Sequence, residues 1–341
     1  MKKLNLKSIL GLLTAFTIVF SFTSCSEDDA AAVSTSAPVI ESVSLAINDS
    51  LTTTGFADNT YIIRGTGFST TQKIYFNDTD TYFNPTLITE NVIFVTVDRE
   101  TPYVDAADQI KVVTQYGEGT YNFVIAPPAP LISSYTPINA TAGETVTIWG
   151  SDFVNPEVFF GDVQATIITS TINMITVELP AGVDGEYLMV STLGGDGTAP
   201  QAIGTALYDD EMLPSLWVGG WGVTNDFAFT GDVRQGFNSI KTVIAGWSGF
   251  QFGGGPALAN YSALRISIKG DDETGKVKVV LNGNYDGGKV ITVTKEWQDL
   301  VIPWSELGAT SAASLNELVL QEFDGDGNVL YIDDLGFVLN E

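Results

Sequence analysis

The sequence predicts an all-β chain: two β-sandwich domains in tandem, followed by a third sandwich of the jelly-roll type. Three observations predict it. Short runs that alternate apolar and polar residues recur from Pro38 to the end, broken by Gly, Asn, Asp and Pro. Turn signals at intervals of roughly 8–12 residues are the mark of sandwiches and barrels. A block of motifs occurs twice before about Leu207, and five of the six tryptophans fall after it.

The chain opens "MKKLNLKSILGLLTAFTIVFSFTSC", with Lys2, Lys3 and Lys7 ahead of an apolar run from Ile9 to Phe20. A basic head and a short apolar run predict a secretory signal peptide over 1–24, too short to span a membrane comfortably. Ser24 before Cys25 resembles the lipobox of bacterial lipoproteins, and the loose match at Phe22 is similar to lipoproteins of the Bacteroidota. The resemblance implies lipid attachment at Cys25. The "SEDD" that follows resembles the signal that sends such lipoproteins to the outer face of the outer membrane. The expected location is therefore the cell surface, with a membrane anchor at Cys25 and a flexible polar tether over 25–37.

Two copies of one pattern come next, expected as domains over 38–126 and 127–204. The first holds "YIIRGTGFSTTQKIYFND" (61–78) and the second "VTIWGSDFVNPEVFFGD" (146–162). Each is an alternating strand, a Gly, a polar turn with Phe, and an aromatic-rich strand. Each copy opens on P-x-I-x-S, as "PVIESVSL" and "PLISSYTP", and "APPAP" (126–130) stands between them as a stiff spacer. These copies resemble immunoglobulin-like IPT/TIG domains through the G-x-x-F turn and the opening strand. On that resemblance they are spacers, with Trp149 and Phe153 in the core.

The last segment, 205–341, carries some eight short strand candidates with Gly, Asp and Asn turns, the pattern of a jelly roll. "LWVGGWGVTNDF", "IKTVIAGWSGFQF", "ALRISIKG", "VKVVLNGNYDGG", "EWQDLVIPWSEL" and "LYIDDLGF" follow in order. Together they resemble the β-jelly-roll carbohydrate-binding modules of bacterial polysaccharidases and surface glycan-binding proteins. The whole layout resembles surface glycan-binding lipoproteins that work beside an outer-membrane glycan importer and surface glycosidases.

A sugar ring has apolar C–H faces and polar edges. Rigid aromatic plates cover the faces at low entropic cost, and side-chain amides hydrogen-bond the edges. Strand parity places Phe250 and Phe252 in the core and Trp247, Gly249 and Gln251 on the other face. Lys278, Val280 and Asn282 fall opposite Val277, Val279 and Leu281, and Val319 and Gln321 fall opposite Leu318 and Leu320. Trp247, Gln251, Asn282 and Gln321 are thus expected on one face of one sheet. "WVGGWG" (217–222) reads as a glycine-loosened loop holding Trp217 and Trp221 toward ligand, with Trp221 the preferred plate; Tyr285 is a rim candidate. Trp297 reads as core and Trp304 stays open. The jelly-roll resemblance also implies a structural Ca²⁺ joining the first and last strands, for which Asp209, Asp210, Asp333 and Asp334 are the available carboxylates; the other reading is an acidic edge that deters aggregation.

Composition narrows the function. The chain has 341 residues, 15 Lys+Arg against 41 Asp+Glu, a formal net charge of −26, no histidine, and a single cysteine, Cys25. Intrachain disulfides, His-ligated zinc and Ser-His-Asp catalysis are excluded. Nucleic acid is a poor partner for so acidic a chain. The acidic field favours a neutral ligand, and the resemblance to jelly-roll modules implies a polysaccharide, first a β-glucan such as laminarin or mixed-linkage glucan, with β-mannan, xylan or cellulose-like chains as alternatives. The expected activity is non-catalytic capture. The competing readings are a small glycosidase or lyase, for which no spaced acidic cluster on a strand is visible, and a protein-binding adhesin using the repeated domains.

Overall fold

The computed structural model describes residues 35–272, 274–308 and 313–340. The expected signal peptide, the lipidation site Cys25 and most of the tether lie outside the described residues. Among the described residues regular structure is strand, with three short 3-10 turns and no helix long enough to cross a membrane.

Residues up to Ile125 form one compact unit and residues from Ala126 onward another. In the first unit a three-stranded sheet (Val39–Leu45, Thr60–Thr66, Val92–Thr96) packs on a four-stranded one (Thr79–Thr81, Thr71–Phe76, Gln109–Thr114, Gly117–Asn122). The alternating residues Ile63, Ile74, Ile93, Ile110 and Val112 fill the space between them, completely buried.

The second unit begins with the second copy. Its sheets are Leu131–Thr136, Thr145–Ser151, Met174–Glu178 and Thr166–Ser170 against Val163–Gln164, Glu157–Phe160, Tyr187–Thr192 and Gly195–Ala202. The repeated motifs now have a physical reason. In both copies the P-x-I-x-S strand carries a bulge, between Ile40 and Ser42 and between Ile132 and Ser134. A side chain on Gly65 would overlap the Val39 carbonyl, and one on Gly150 the Leu131 carbonyl. The glycine lets the strands approach, and the Phe three residues later (Phe68, Phe153) fills the core beneath it. Phe153 is buried as expected. Trp149 is not in the core: it faces outward, edge-on to Phe237 at 6.3 Å between centroids.

The third sandwich has nine strands: β1 (Ala206–Tyr208), β2 (Trp217–Phe229), β3 (Ser239–Gly253), β4 (Tyr261–Gly270), β5 (Gly275–Leu281), β6 (Lys289–Val293), β7 (Gln298–Pro303), β8 (Leu318–Glu322) and β9 (Asn328–Leu339). The long strands β2 and β3 serve both layers. In sheet one the order is β6-β5-β8-β3-β2, using residues 249–253 of β3 and 217–221 of β2. In sheet two it is β7-β4-β9-β3-β2, using residues 240–244 and 223–229. The corner lies where both strands lose register, at Gly222 in β2 and at residues 245–248 in β3. Strands that change sheets do so through such bulges. The core between the layers includes Phe250, Phe252, Val277, Val279, Leu318 and Leu320 from sheet one, with Leu264, Ile266, Leu330 and Ile332 from sheet two. Trp304 joins this core, 7% exposed, its indole N–H on the Tyr261 carbonyl at 2.9 Å. Trp297 is only half-buried and donates instead to the Asp232 carboxylate at 2.9 Å, so it packs over sheet two and not in the core.

Candidate functional site

"WVGGWG" is strand, not loop. It forms the edge of sheet one, paired residue by residue with β3: Trp217 with Gly253, Gly219 with Gln251, Trp221 with Gly249. The glycines hide a period of two, because Trp217, Gly219 and Trp221 are the alternate residues of one face. Their backbone positions are about 13 Å apart along the strand, from four steps of the strand rise. Each lies across a glycine: a side chain on Gly249 would overlap the Trp221 indole, and one on Gly253 would press on Trp217. The partner strand's glycines make room for flat rings on the sheet surface.

Register carries the same face across the sheet. Gly249 pairs with Gln321 and Gln321 with Lys278; Gln251 pairs with Val319 and Val319 with Val280. The face therefore holds Trp217, Trp221, Gln251, Gln321 and Lys278, with Val319 and Val280 buried among them. Trp247 comes in from the corner. It has φ +59°, the left-handed region that a bulky residue seldom adopts, and its ring is 55% exposed. Such a conformation persists only where surrounding contacts enforce it.

Those contacts converge on the backbone of this one residue. The Trp247 carbonyl accepts the Trp221 indole N–H at 3.1 Å and the Gln321 amide at 3.2 Å. The Trp247 N–H donates to the buried Glu322 carboxylate at 2.7 Å, and Glu322 also accepts from the N–H groups of Asp324 and Gly325 at 2.9–3.0 Å. The Trp247 ring meets Phe323 edge-on at 5.6 Å, and the Lys278 ammonium stands 4.9 Å above that same Phe323 ring. The Gln251 carboxamide has no hydrogen-bond partner among the described residues, which leaves it open to ligand.

The structure thus brings together Trp217, Trp221, Trp247, Gln251 and Gln321. Asn282 does not join them. Its backbone is left-handed (φ +50°), its amide donates to the Ser314 carbonyl, and its oxygen accepts the N–H groups of Asn316 and Glu317. Both ends of the carboxamide hold the β7–β8 connection in place. Tyr285 stands in the β5–β6 turn, 41% exposed, beyond the end of β5. Strand parity puts Lys278 on this face but does not single it out as a site residue, and Glu322 and Phe323 have no sequence signal at all, because a corner clamp leaves no periodic pattern.

The fold and this face allow comparison with known proteins. Residues 130–208 match a family model over the span of the second sandwich. They form an IPT/TIG domain. A curated IPT/TIG domain-containing protein of Bacteroides ovatus is 30% identical over 141 residues, 38% of this chain and 27% of that protein. The chain therefore spans little more than a quarter of that relative. The fold is similar to the crystal structure of the surface glycan-binding protein PbSGBP-B from Prevotella bryantii, with 20% identity, a TM-score of 0.53, and cover of 89% of this chain and 99% of that one. SGBP-B from a complex xyloglucan utilization locus in Bacteroides uniformis aligns at 19% identity and a TM-score of 0.39, over 89% and 100% of the two chains.

The four aspartates expected to hold Ca²⁺ lie where the IPT/TIG domain joins the jelly roll, and each has protein donors of its own. Asp209 accepts the N–H groups of Ile138 and Asn139 and the Thr136 hydroxyl of the IPT/TIG domain. Asp210 accepts the N–H groups of Phe237 and Asn238 at 2.6 and 2.7 Å. Asp333 accepts those of Arg234, Gln235 and Asp334 at 2.8–3.1 Å. Asp334 is ion-paired with the buried Arg265 at 2.8 Å and takes the amide of Gln201, from the IPT/TIG domain, at 2.8 Å. Among the described residues no three carboxylate, histidine or cysteine side chains converge as a metal cluster would require. The residues present do not fit a shared calcium; they fit a buried polar joint. Burial pushes the Asp209 and Asp334 carboxyls above the usual range and that of Asp333 up to about 7, outweighing the N–H bonds that favour its ionised form.

Proposed function

We propose that this chain captures a neutral polysaccharide on the outer face of sheet one, without cleaving it. The observation that carries the reading is the set of three exposed tryptophans, Trp217, Trp221 and Trp247, on one face with the open Gln251 carboxamide between them. Flat rings over glycines suit the C–H faces of sugar rings, and amides suit their hydroxyls. Two plates rooted about 13 Å apart on one strand, with a third beside them, offer a surface longer than a monosaccharide, so the ligand is a chain. No carboxylate stands at the sheet positions of this face, whereas glycoside hydrolysis needs a carboxyl pair flanking the bond. The fold shared with a named surface glycan-binding protein supports the same reading.

The finer reading follows from the sequence. Lipid attachment at Cys25 holds the protein at the outer surface, and the two repeated sandwiches lift the binding face away from the membrane. It passes glycan to surface glycosidases and an importer. The acidic charge favours a neutral chain, and β-glucan is the first to try by resemblance to jelly-roll modules of this type. A glycan array with the soluble ectodomain, including laminarin, mixed-linkage glucan, xyloglucan, β-mannan and xylan, tests this directly. Retardation of the protein in an affinity gel of one of these is the expected result. Release of reducing ends from any of them would overturn the non-catalytic reading.

A further inference from the structure

Trp221 and Trp247 come from different strands at the sheet corner, yet both depend on the backbone of one residue, Trp247. The Trp247 carbonyl receives Trp221 and Gln321, and its N–H is taken by Glu322. Glu322 is 2% exposed and bears no surface for ligand. One of its oxygens accepts from Asp324 and Gly325 and the other from Trp247 and Gly325, so both are needed as acceptors. Through Gly325 it also sets the floor under the Trp247 ring, since a side chain there would press on the indole. A left-handed tryptophan is costly by itself, and a carboxylate acceptor on its N–H is the kind of bond strong enough to hold it.

We propose that Glu322 is the positioning residue of the binding face: by holding the Trp247 N–H it fixes that residue's left-handed backbone, and so the direction of the Trp247 carbonyl that receives Trp221, which orients the two plates as one unit. The inference rests on the glycan-binding reading for its purpose, but not for its geometry. Glu322→Gln keeps the shape and replaces one acceptor oxygen by an NH₂ group, which then faces an N–H.

A double-mutant cycle in the full ectodomain tests it, using the glycan that retards the wild type. Glu322→Gln is expected to weaken binding about tenfold or more alone, and by less than about twofold once Trp247→Ala is present. Equal losses in both backgrounds, or no loss in the wild-type background, would overturn it. A second readout needs no glycan. The indole N–H resonance of Trp221, identified by its disappearance in Trp221→Phe, is expected to shift in Glu322→Gln; an unchanged resonance overturns the coupling. If the wild type binds no glycan tested, the function has been misread and the resonance alone decides the coupling. If Glu322→Gln does not fold, Glu322→Asp, which withdraws the carboxylate from the Trp247 N–H by one methylene, takes its place in the same cycle with the same expected losses.

Discussion

Gly249 stands directly opposite Trp221 across β2 and β3, and the Trp221 indole occupies the space that a side chain at 249 would need. The pairing makes the glycine part of the proposed binding face although it offers ligand nothing. Gly249→Val places a β-branched residue where the strand tolerates it but where the ring cannot stay. The expected outcome is a loss of glycan retardation comparable to that of Trp221→Ala, with the thermal midpoint changed by only a few degrees. Affinity electrophoresis and a melting curve on the same samples check both halves.

The tryptophans divide into two classes that mutation should separate. Trp217→Ala, Trp221→Ala and Trp247→Ala remove exposed rings and are expected to reduce binding with little effect on stability. Trp304→Ala empties a core position and is expected to cost about 3–5 kcal/mol of unfolding free energy. Denaturant titration beside glycan affinity distinguishes the classes, and a stability loss of that size for Trp221→Ala would refute the division.

The joint between the IPT/TIG domain and the jelly roll is built on buried charge. Arg265 and Asp334 are paired with side chains 5% and 9% exposed. Removing one partner leaves the other buried and uncompensated, which costs about 3–5 kcal/mol. Asp334→Ala is therefore expected to lower stability strongly, and Arg265→Met with Asp334→Leu together much less. Because the aspartates already have their donors, calcium or a chelator is expected to leave the melting temperature of the wild type unchanged. A calcium-dependent shift of several degrees would show that the carboxylates reorganise around a metal.

Asp333 makes stability depend on pH in an unusual direction for a carboxyl. Its pKa is raised by burial to about 7 in the folded chain, above the ordinary aspartate value of 3.8. The folded state then holds a proton that the unfolded state has released. Its contribution is full below about pH 3.8 and is lost as pH rises through about 7. Asp209 and Asp334 are raised in the same direction. Unfolding free energy is expected to fall between pH 4 and 7, and the slope is expected to flatten in Asp333→Asn. Denaturation series at several pH values measure it.

Much of the fold was readable because β-sandwiches write their cores with a period of two. Phe250 and Phe252, Val277 and Val279, and Leu318 and Leu320 each mark an inward face, and the same parity put Trp247, Gln251 and Gln321 outward together. The doubled G-x-x-F and P-x-I-x-S motifs showed the repeat, since the same close crossing needs the same glycine each time. The failures have physical causes too. "WVGGWG" looked like a loop because glycine gives no alternation to read, although glycines placed across from indoles are what a flat aromatic face requires. Asn282 kept the right parity but gave its carboxamide to a neighbouring loop. The aspartates were legible as a group of acids, not as acceptors for the N–H groups of particular residues.

The sequence by itself determined most of the strands, the three cores, the acidic charge that turns away polyanions, and the absence of histidine chemistry, because composition and periodicity are local properties of the chain. Only the tertiary structure decided that the glycine-rich "WVGGWG" is a strand, that β2 and β3 bend through both sheets, that the bend holds Trp247 in a left-handed conformation, and that Glu322 and Trp221 meet at its backbone. Those relations join residues as many as 101 positions apart, and no local pattern encodes which donors and acceptors a corner will bring within hydrogen-bonding distance.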